Sequence, residues 1–261
     1  MSHVRERLPA IALVGAILVL WEAYVRLAGI EPVVLPGPVR ILEQLWAYRA
    51  DAVRHAWPTL IETVLGFSLA VVLAILAAAA MDRVPAARRA VEPILVATQT
   101  IPVVAIAPLF LLWFGFGLAP KVLIVILVTF FPIVVALLDG FRSTPPDASD
   151  LLRSYGATGA QEFRKLRWPA ALPAFFTGLR ISVVYAVIGA VFGEYVGARE
   201  GLGIWMQLSQ NSFRTDLVFA AIVVTSALSL VLYALVGVLR RLVIPWAPGV
   251  RQEIAIEERP F

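Results

Sequence analysis

Asp147-Ala-Ser-Asp150-Leu151-Leu152-Arg-Ser-Tyr155-Gly156-Ala-Thr158-Gly-Ala-Gln161-Glu-Phe163-Arg-Lys-Leu166-Arg-Trp168-Pro169 is a polar island between two long apolar blocks. Pro145-Pro146 breaks any helix before it, so Asp147 is expected to cap a short helix, with the Asp150 carboxylate near the positive end. Gly156 is placed to stop that helix in the left-handed conformation that glycine adopts freely. Thr158 with Gln161 forms a capping-box pattern for a second short helix. That helix is expected to end near Trp168, because Pro169 disfavours helical geometry in the residue before it. Leu151, Leu152 and Tyr155 fall on one face of the first helix. A helix of about two turns is not stable alone, so this face must be buried against something.

The blocks on either side settle the class of protein. Hydrophobic residues make up 60% of the chain, charged residues 15%, and the mean hydropathy is +0.85, outside the range of soluble domains. Six apolar stretches are expected to span a membrane: Leu8 to about Val25, Pro58–Met81, Pro93–Gly115, Val122–Leu138, Pro173–Val196 and Leu217–Leu239. Each is near the length that crosses about 30 Å of hydrocarbon. The first is longer than a signal-peptide core and no small-x-small cleavage site follows, so it reads as an uncleaved span. Between the first two, Ile41, Leu42, Leu45 and Trp46 at helical spacing predict a short amphipathic helix lying on the bilayer. Pro102 and Pro108 in the third span and Pro132 in the fourth either bend helices around a cavity or simply shape packing. Gly178, Ser182, Gly189 and Gly193 in the fifth permit close helix approach.

With six spans, both termini share one side. Lys and Arg number 14 on the side of the termini and of residues 139–169, and 6 on the other, with Arg26 and Arg180 counted inside spans. The positive-inside rule makes the first side cytoplasmic. The division expected is 1–56, a first span and external amphipathic segment; 57–243, a core of five spans with the loop 139–169; and 244–261, a cytoplasmic tail.

Composition also excludes chemistry. There is no cysteine, and the two histidines, His3 and His55, lie outside the spans, which leaves no thiolate nucleophile, disulfide or metal-ligand cluster. Neither lysine, Lys121 or Lys165, follows a glycine in the phosphate-loop pattern, so the chain has no such ATP site. The net charge of +4 and pI near 9.8 come from arginines beside apolar spans, not from a basic stripe, which argues against nucleic acid. A membrane-embedded enzyme lacks its groups here, there being no Gly-x-Ser-x-Gly either. A passive channel would not need the loop.

Polar residues inside spans have two readings. Glu22, Glu62 and Glu194 either serve a function or reach water at an interface. Arg180 is close enough to the inner end of its span to extend to the surface. Thr98, Gln99 and Thr100, with Ser182 and Tyr185, either line a passage for a small polar solute or bond helix to helix.

The spacing of Asp150-Leu151-Leu152, Gly156, Leu166 and Trp168-Pro169 resembles the Glu-Ala-Ala loop of binding-protein-dependent ABC transporter permeases. Asp150 stands where that pattern has glutamate, Leu151-Leu152 where it has two alanines, and Trp168 where it has leucine. Gly193-Glu194-Tyr195-Val196-Gly197-Ala198 through Gly201-Leu202-Gly203, then Phe213-Arg-Thr-Asp216, is similar to the nitrate, sulfonate and taurine permeases, and most to those importing thiamine pyrimidine precursors. The resemblance implies an all-α membrane protein, a type I ABC importer permease of six transmembrane helices in a bacterial inner membrane. It further implies that Asp150, Leu151, Leu152, Tyr155, Gly156, Leu166 and Pro169 dock an ATPase subunit, and that the permease pairs with a second copy and works with an external solute-binding protein. ATP and Mg would be bound by the ATPase dimer, leaving this chain without a cofactor; Thr98, Gln99, Thr100, Ser182, Tyr185 and Glu194 are the candidates for the pathway, and membrane lipid surrounds the spans.

Overall fold

The computed structural model describes residues 2–246, and the expected tail lies almost wholly outside them. Eleven α-helices are described: α1 Ser2–Leu27, α2 Pro38–Ala47, α3 Arg49–Arg83, α4 Pro85–Gln99, α5 Val103–Phe114, α6 Leu118–Arg142, α7 Pro146–Ser154, α8 Gly159–Glu162, α9 Trp168–Tyr195, α10 Leu202–Asn211 and α11 Thr215–Val243, with a π-helical turn at Phe163–Arg167. Five are long and apolar enough to cross a membrane, and the pair α4–α5 makes a sixth if counted as one bent span.

That pair corrects the third expected span. Its two halves meet at 100° around Thr100–Pro102 instead of forming one continuous helix. The cause is local: Pro102 has no N–H to give, and it drives Ile101 out of helical geometry. Two further boundaries move. The second span begins at Arg49, not Pro58, because Pro58 is carried inside α3. The fifth is continuous from Gly159, since Trp168 stays helical before Pro169 and the π-turn at 163–167 relieves the proline clash by widening the coil. The second short helix of the loop is therefore the beginning of the fifth span.

α3, α6 and α9 form the core. Backbone approach sets their packing: a Cβ on Gly140 would lie 2.8 Å from Ala171, one on Gly189 2.8 Å from Val128, one on Gly66 2.5 Å from Val125, and Gly178 abuts Ala136 as closely. In lipid, where apolar burial alone gives little drive, such contact is what holds helices together. Ile133, Val134, Leu137, Phe141, Phe175 and Val183 fill the middle. α11 closes the back of α9, and α2 lies across α11 with Ile41 buried, while Leu42 and Trp46 face outward as an amphipathic helix should. Outside this core, Ile17, Leu20, Leu76, Leu112, Leu230 and Leu242 are more than half exposed, the expected finish for a surface that meets hydrocarbon.

Candidate functional site

The loop is built almost wholly from neighbours in sequence. α7 starts two residues earlier than expected: Pro145 is the extended cap residue, Pro146 takes the first helical position, and Asp147 sits in the first turn without capping by its side chain. Two consecutive prolines do this, the second holding the first extended. At the other end Gly156 has φ +80°, with Gly156 N–H donating to Arg153 O at 2.9 Å and Ala157 N–H to Leu152 O at 3.1 Å, a Schellman closure. The capping box forms as the sequence predicts: Gln161 N–H donates to Thr158 Oγ1 at 3.3 Å, and Thr158 N–H to Gln161 Oε1 at 2.8 Å.

Two ion pairs that sequence reasoning missed clamp this unit. Arg153 bonds Glu162 at 2.9 and 3.3 Å, fastening α7 to α8 across the Gly156 turn. Its charge partner raises the Arg153 guanidinium above its ordinary range. Arg167 bonds Asp82 at 2.6 Å, tying the π-turn to the end of α3. Phe141, Phe163, Trp168 and Phe175 pack in series as tilted rings with centroids 5.4–6.3 Å apart, and Arg83 lies over Phe163. Trp168, the departure from the family pattern, is thus a packing residue.

Against this anchored base, α7 stands out. Leu151 is 58% exposed and Tyr155 82%, with Asp150 exposed beside them; Leu152, Leu166 and Pro169 are half-buried. A short helix thus holds an apolar ridge in the open, on a base fixed by ion pairs and aromatic packing.

The far end of the bundle is organised oppositely. Glu194 is fully buried; Thr59 Oγ1 donates to its Oε1 at 2.5 Å and Gly203 N–H to its Oε2 at 2.5 Å. Thr59 in turn accepts from Leu202 N–H at 2.9 Å, and His55 Nδ1 accepts from Gly201 N–H at 3.1 Å while its ring stacks on Trp205. Glu62 is 2% exposed and takes the Lys121 ammonium at 2.5 Å; its other oxygen is buried without a partner among the described residues. Glu62 and Glu194 therefore do not reach water at an interface. They bind α3, α6, α9 and α10 together. Arg54 pairs with Glu200 at 2.6 Å and holds that carboxyl below its usual range. Nearby, Arg214 and Arg40 both bond the buried Asp216, and Arg214 also reaches Gln44 and Tyr48, fixing α2 to the α10–α11 corner. Glu22 does stay near solvent, bonded to Arg26 and to Val39 N–H.

The remaining polar residues are not gathered into one place. Thr98 and Thr100 donate to Leu95 O and Ala97 O within their own turn, at the α4–α5 break, and Gln99 is exposed. Ser182 is fully buried, whereas Tyr185, three residues on along α9, is 49% exposed. Arg180 is half-buried, its guanidinium lying 4.1 Å from the Tyr233 ring centroid on α11.

Comparison with known proteins decides the family. The family described as "Binding-protein-dependent transport system inner membrane component" matches residues 70–245. The chain belongs to this family. It is 41% identical over 231 residues to the formylaminopyrimidine transport permease protein ThiX of Halalkalibacterium halodurans, covering 88% of this chain and 92% of that one. It is 37% identical to the riboflavin transport system permease protein RibX of Chloroflexus aurantiacus (88% and 87% covered), and 30% identical to the taurine transport system permease protein TauC of Escherichia coli (91% and 89% covered). Among solved structures, the inward-facing MetNI methionine ABC transporter matches with TM-score 0.64 at 20% identity, covering 76% of this chain and 97% of that chain, a likeness of fold. The protein is thus a multi-pass permease subunit of an ABC importer with a type I fold, not an enzyme. Members of this family work with an ATPase subunit and a solute-binding protein, and nucleotide binding falls to the ATPase.

Proposed function

We propose that this permease forms a homodimer in a lipid bilayer, docks its ATPase through α7, and imports a thiamine pyrimidine precursor. The observation that carries the docking assignment is the exposed Leu151–Tyr155 ridge on a helix too short to fold alone, mounted on the Arg153–Glu162 clamp. Asp150 and Gly156 set the ends of that contact, with Leu166 of the π-turn and Pro169 at the start of α9 supporting it. The charge asymmetry supports an orientation with residues 139–169 and both termini in the cytoplasm, so that the Glu194 end faces outward. For the cargo, the formylaminopyrimidine relative supports a nitrogen heterocycle; a sulfonate or taurine is the second reading, favoured by the 30% identity to the taurine permease.

Thr98, Gln99 and Tyr185 line the solute passage in this reading, Thr98–Thr100 marking the 100° break between α4 and α5, as the discontinuous helices of transporters do at their binding sites. Behind it Glu194 holds α3 and α10, and Ser182 is buried in α9 with its hydroxyl unpartnered among the described residues. The test is uptake by the permease–ATPase complex in proteoliposomes supplied with ATP and the solute-binding protein. ATP-dependent accumulation of a formylaminopyrimidine is expected, reduced by alanine at Thr98, Gln99 or Tyr185 without loss of the ATPase. Taurine uptake in its place would reverse the cargo assignment. Labelling of single cysteines introduced at 148 or 160 from outside intact cells would reverse the orientation.

A further inference from the structure

A cavity of about 950 Å³ opens at the Glu194 end between α3, the α5–α6 turn and the segment after α9, lined among others by Pro58, Glu62, Phe116, Lys121, Arg199 and Glu200. Its volume is that of a small-molecule site. The charges on its wall are unequal in what they have left to give. Glu62 is committed to Lys121 and Glu200 to Arg54. An ammonium has three N–H groups, and Lys121 spends one on Glu62; Arg199 makes no ion pair among the described residues. With the two acids paired, the one charge on this wall without a counter-ion among the described residues is the Arg199 guanidinium, and a surplus positive charge suits an acceptor oxygen better than a cation.

The placing of these side chains is specific. Gly193, at the end of α9, leaves room for the Lys121 stem: a Cβ there would lie 3.2 Å from Lys121 Cα and 3.3 Å from its Cβ and Cγ. Gly197, four residues on, does the same for Phe116, whose Cε1 would be 2.9 Å from a Cβ. One bare edge thus seats a cation and an aromatic ring side by side. Phe116 is otherwise 80% exposed, whereas the Lys121 side chain is only 13% exposed, deep enough for a charge-assisted bond to count.

We infer that this cavity is a subsite for the transported solute, in which the Lys121 ammonium and the Arg199 guanidinium take an acceptor oxygen of the cargo and the Phe116 ring covers its flat face. It rests on the importer reading above and adds the residues that recognise the cargo. A formyl oxygen on an aminopyrimidine and the sulfonate of taurine share the required acceptor chemistry; the ring favours the first.

Equilibrium binding to the purified permease–ATPase complex in lipid nanodiscs, without solute-binding protein, tests it with two radiolabelled probes, a formylaminopyrimidine and taurine. The wild type is expected to bind the pyrimidine. Phe116→Ala and Arg199→Ala should each weaken it roughly tenfold, and the double variant Glu62→Gln with Lys121→Met by more, with assembly intact because no buried charge is orphaned. Should the double variant fail to assemble, the two exposed-residue variants decide. Wild-type binding of neither probe, or wild-type affinity in the variants, overturns the subsite, even if the full transporter imports the pyrimidine and the cargo reading stands. Taurine binding that these variants abolish, with no pyrimidine binding, upholds the subsite and overturns the cargo reading.

Discussion

The two ends of the bundle spend their polar groups differently. At the loop end the bonds that shape α7 and α8 join residues three to nine apart, as in the capping box of Thr158 with Gln161 and the clamp of Arg153 on Glu162. At the far end Thr59 and Glu194 are 135 residues apart, Arg40 and Asp216 are 176 apart, and both acids are buried. The loop end is a preassembled piece with an open apolar ridge. The far end exists only when the whole core is folded. Damage to the first should therefore show in partner binding, and damage to the second in the stability of the chain itself.

Lys121→Met probes the far end most severely. It leaves Glu62 charged, 2% exposed and without its counter-ion, a loss of about 3–5 kcal/mol. Thermal unfolding in detergent should show it as a large fall in Tm. An unchanged Tm would mean that water reaches Glu62. Leu151→Asp is the opposite case: the side chain is 58% exposed in the lone chain, so Tm should hold, while a charge forced into the docking contact weakens assembly by at least about 2 kcal/mol. Co-purification of the ATPase reads it, and assembly and transport like wild type would remove α7 from the docking role.

Gly156→Val lies between these. A β-branched residue at φ +80° is strained by about 1–2 kcal/mol or more, and the turn between α7 and α8 should be misdirected while the ATPase still binds. ATP hydrolysis in reconstituted membranes is then expected to run without uptake. Thr158→Ala removes one side of the capping box and should cost about 1 kcal/mol. Local hydrogen exchange at residues 158–162 should rise with little change in uptake; a full loss of uptake would mean that α8 carries more than support.

This contrast explains what the sequence revealed. Gly156, Thr158 and Gln161 were legible because their partners are neighbours, and the spans because hydrocarbon thickness fixes their length. The start of α7 was misjudged by two residues, since Pro145 and Pro146 together outcompete Asp147 for the cap. The end of α8 was misjudged because a π-turn, which has no pattern of its own in the sequence, absorbs Pro169. Glu62, Glu194 and Arg180 were seen as residues of interest, but their partners Lys121, Thr59 and Tyr233 sit on other helices, and no periodicity links them. The spare donors around the α5–α6 turn were invisible for the same reason.

The helical run from Gly159 to Tyr195 has a mechanical consequence. Its 37 residues make a nearly unbroken rod roughly 55 Å long at 1.5 Å per residue, stiffened near its base by the aromatic series and the Arg167–Asp82 tie. One tip adjoins α7, and the other carries Glu194 and the glycines beneath Lys121 and Phe116. Tilting such a lever by about 5° about its base sweeps the distant tip through roughly 4–5 Å. That is more than a hydrogen bond can stretch, so the Thr59 and Gly203 contacts of Glu194 cannot follow passively: each stroke must either carry α3 and α10 along or break them.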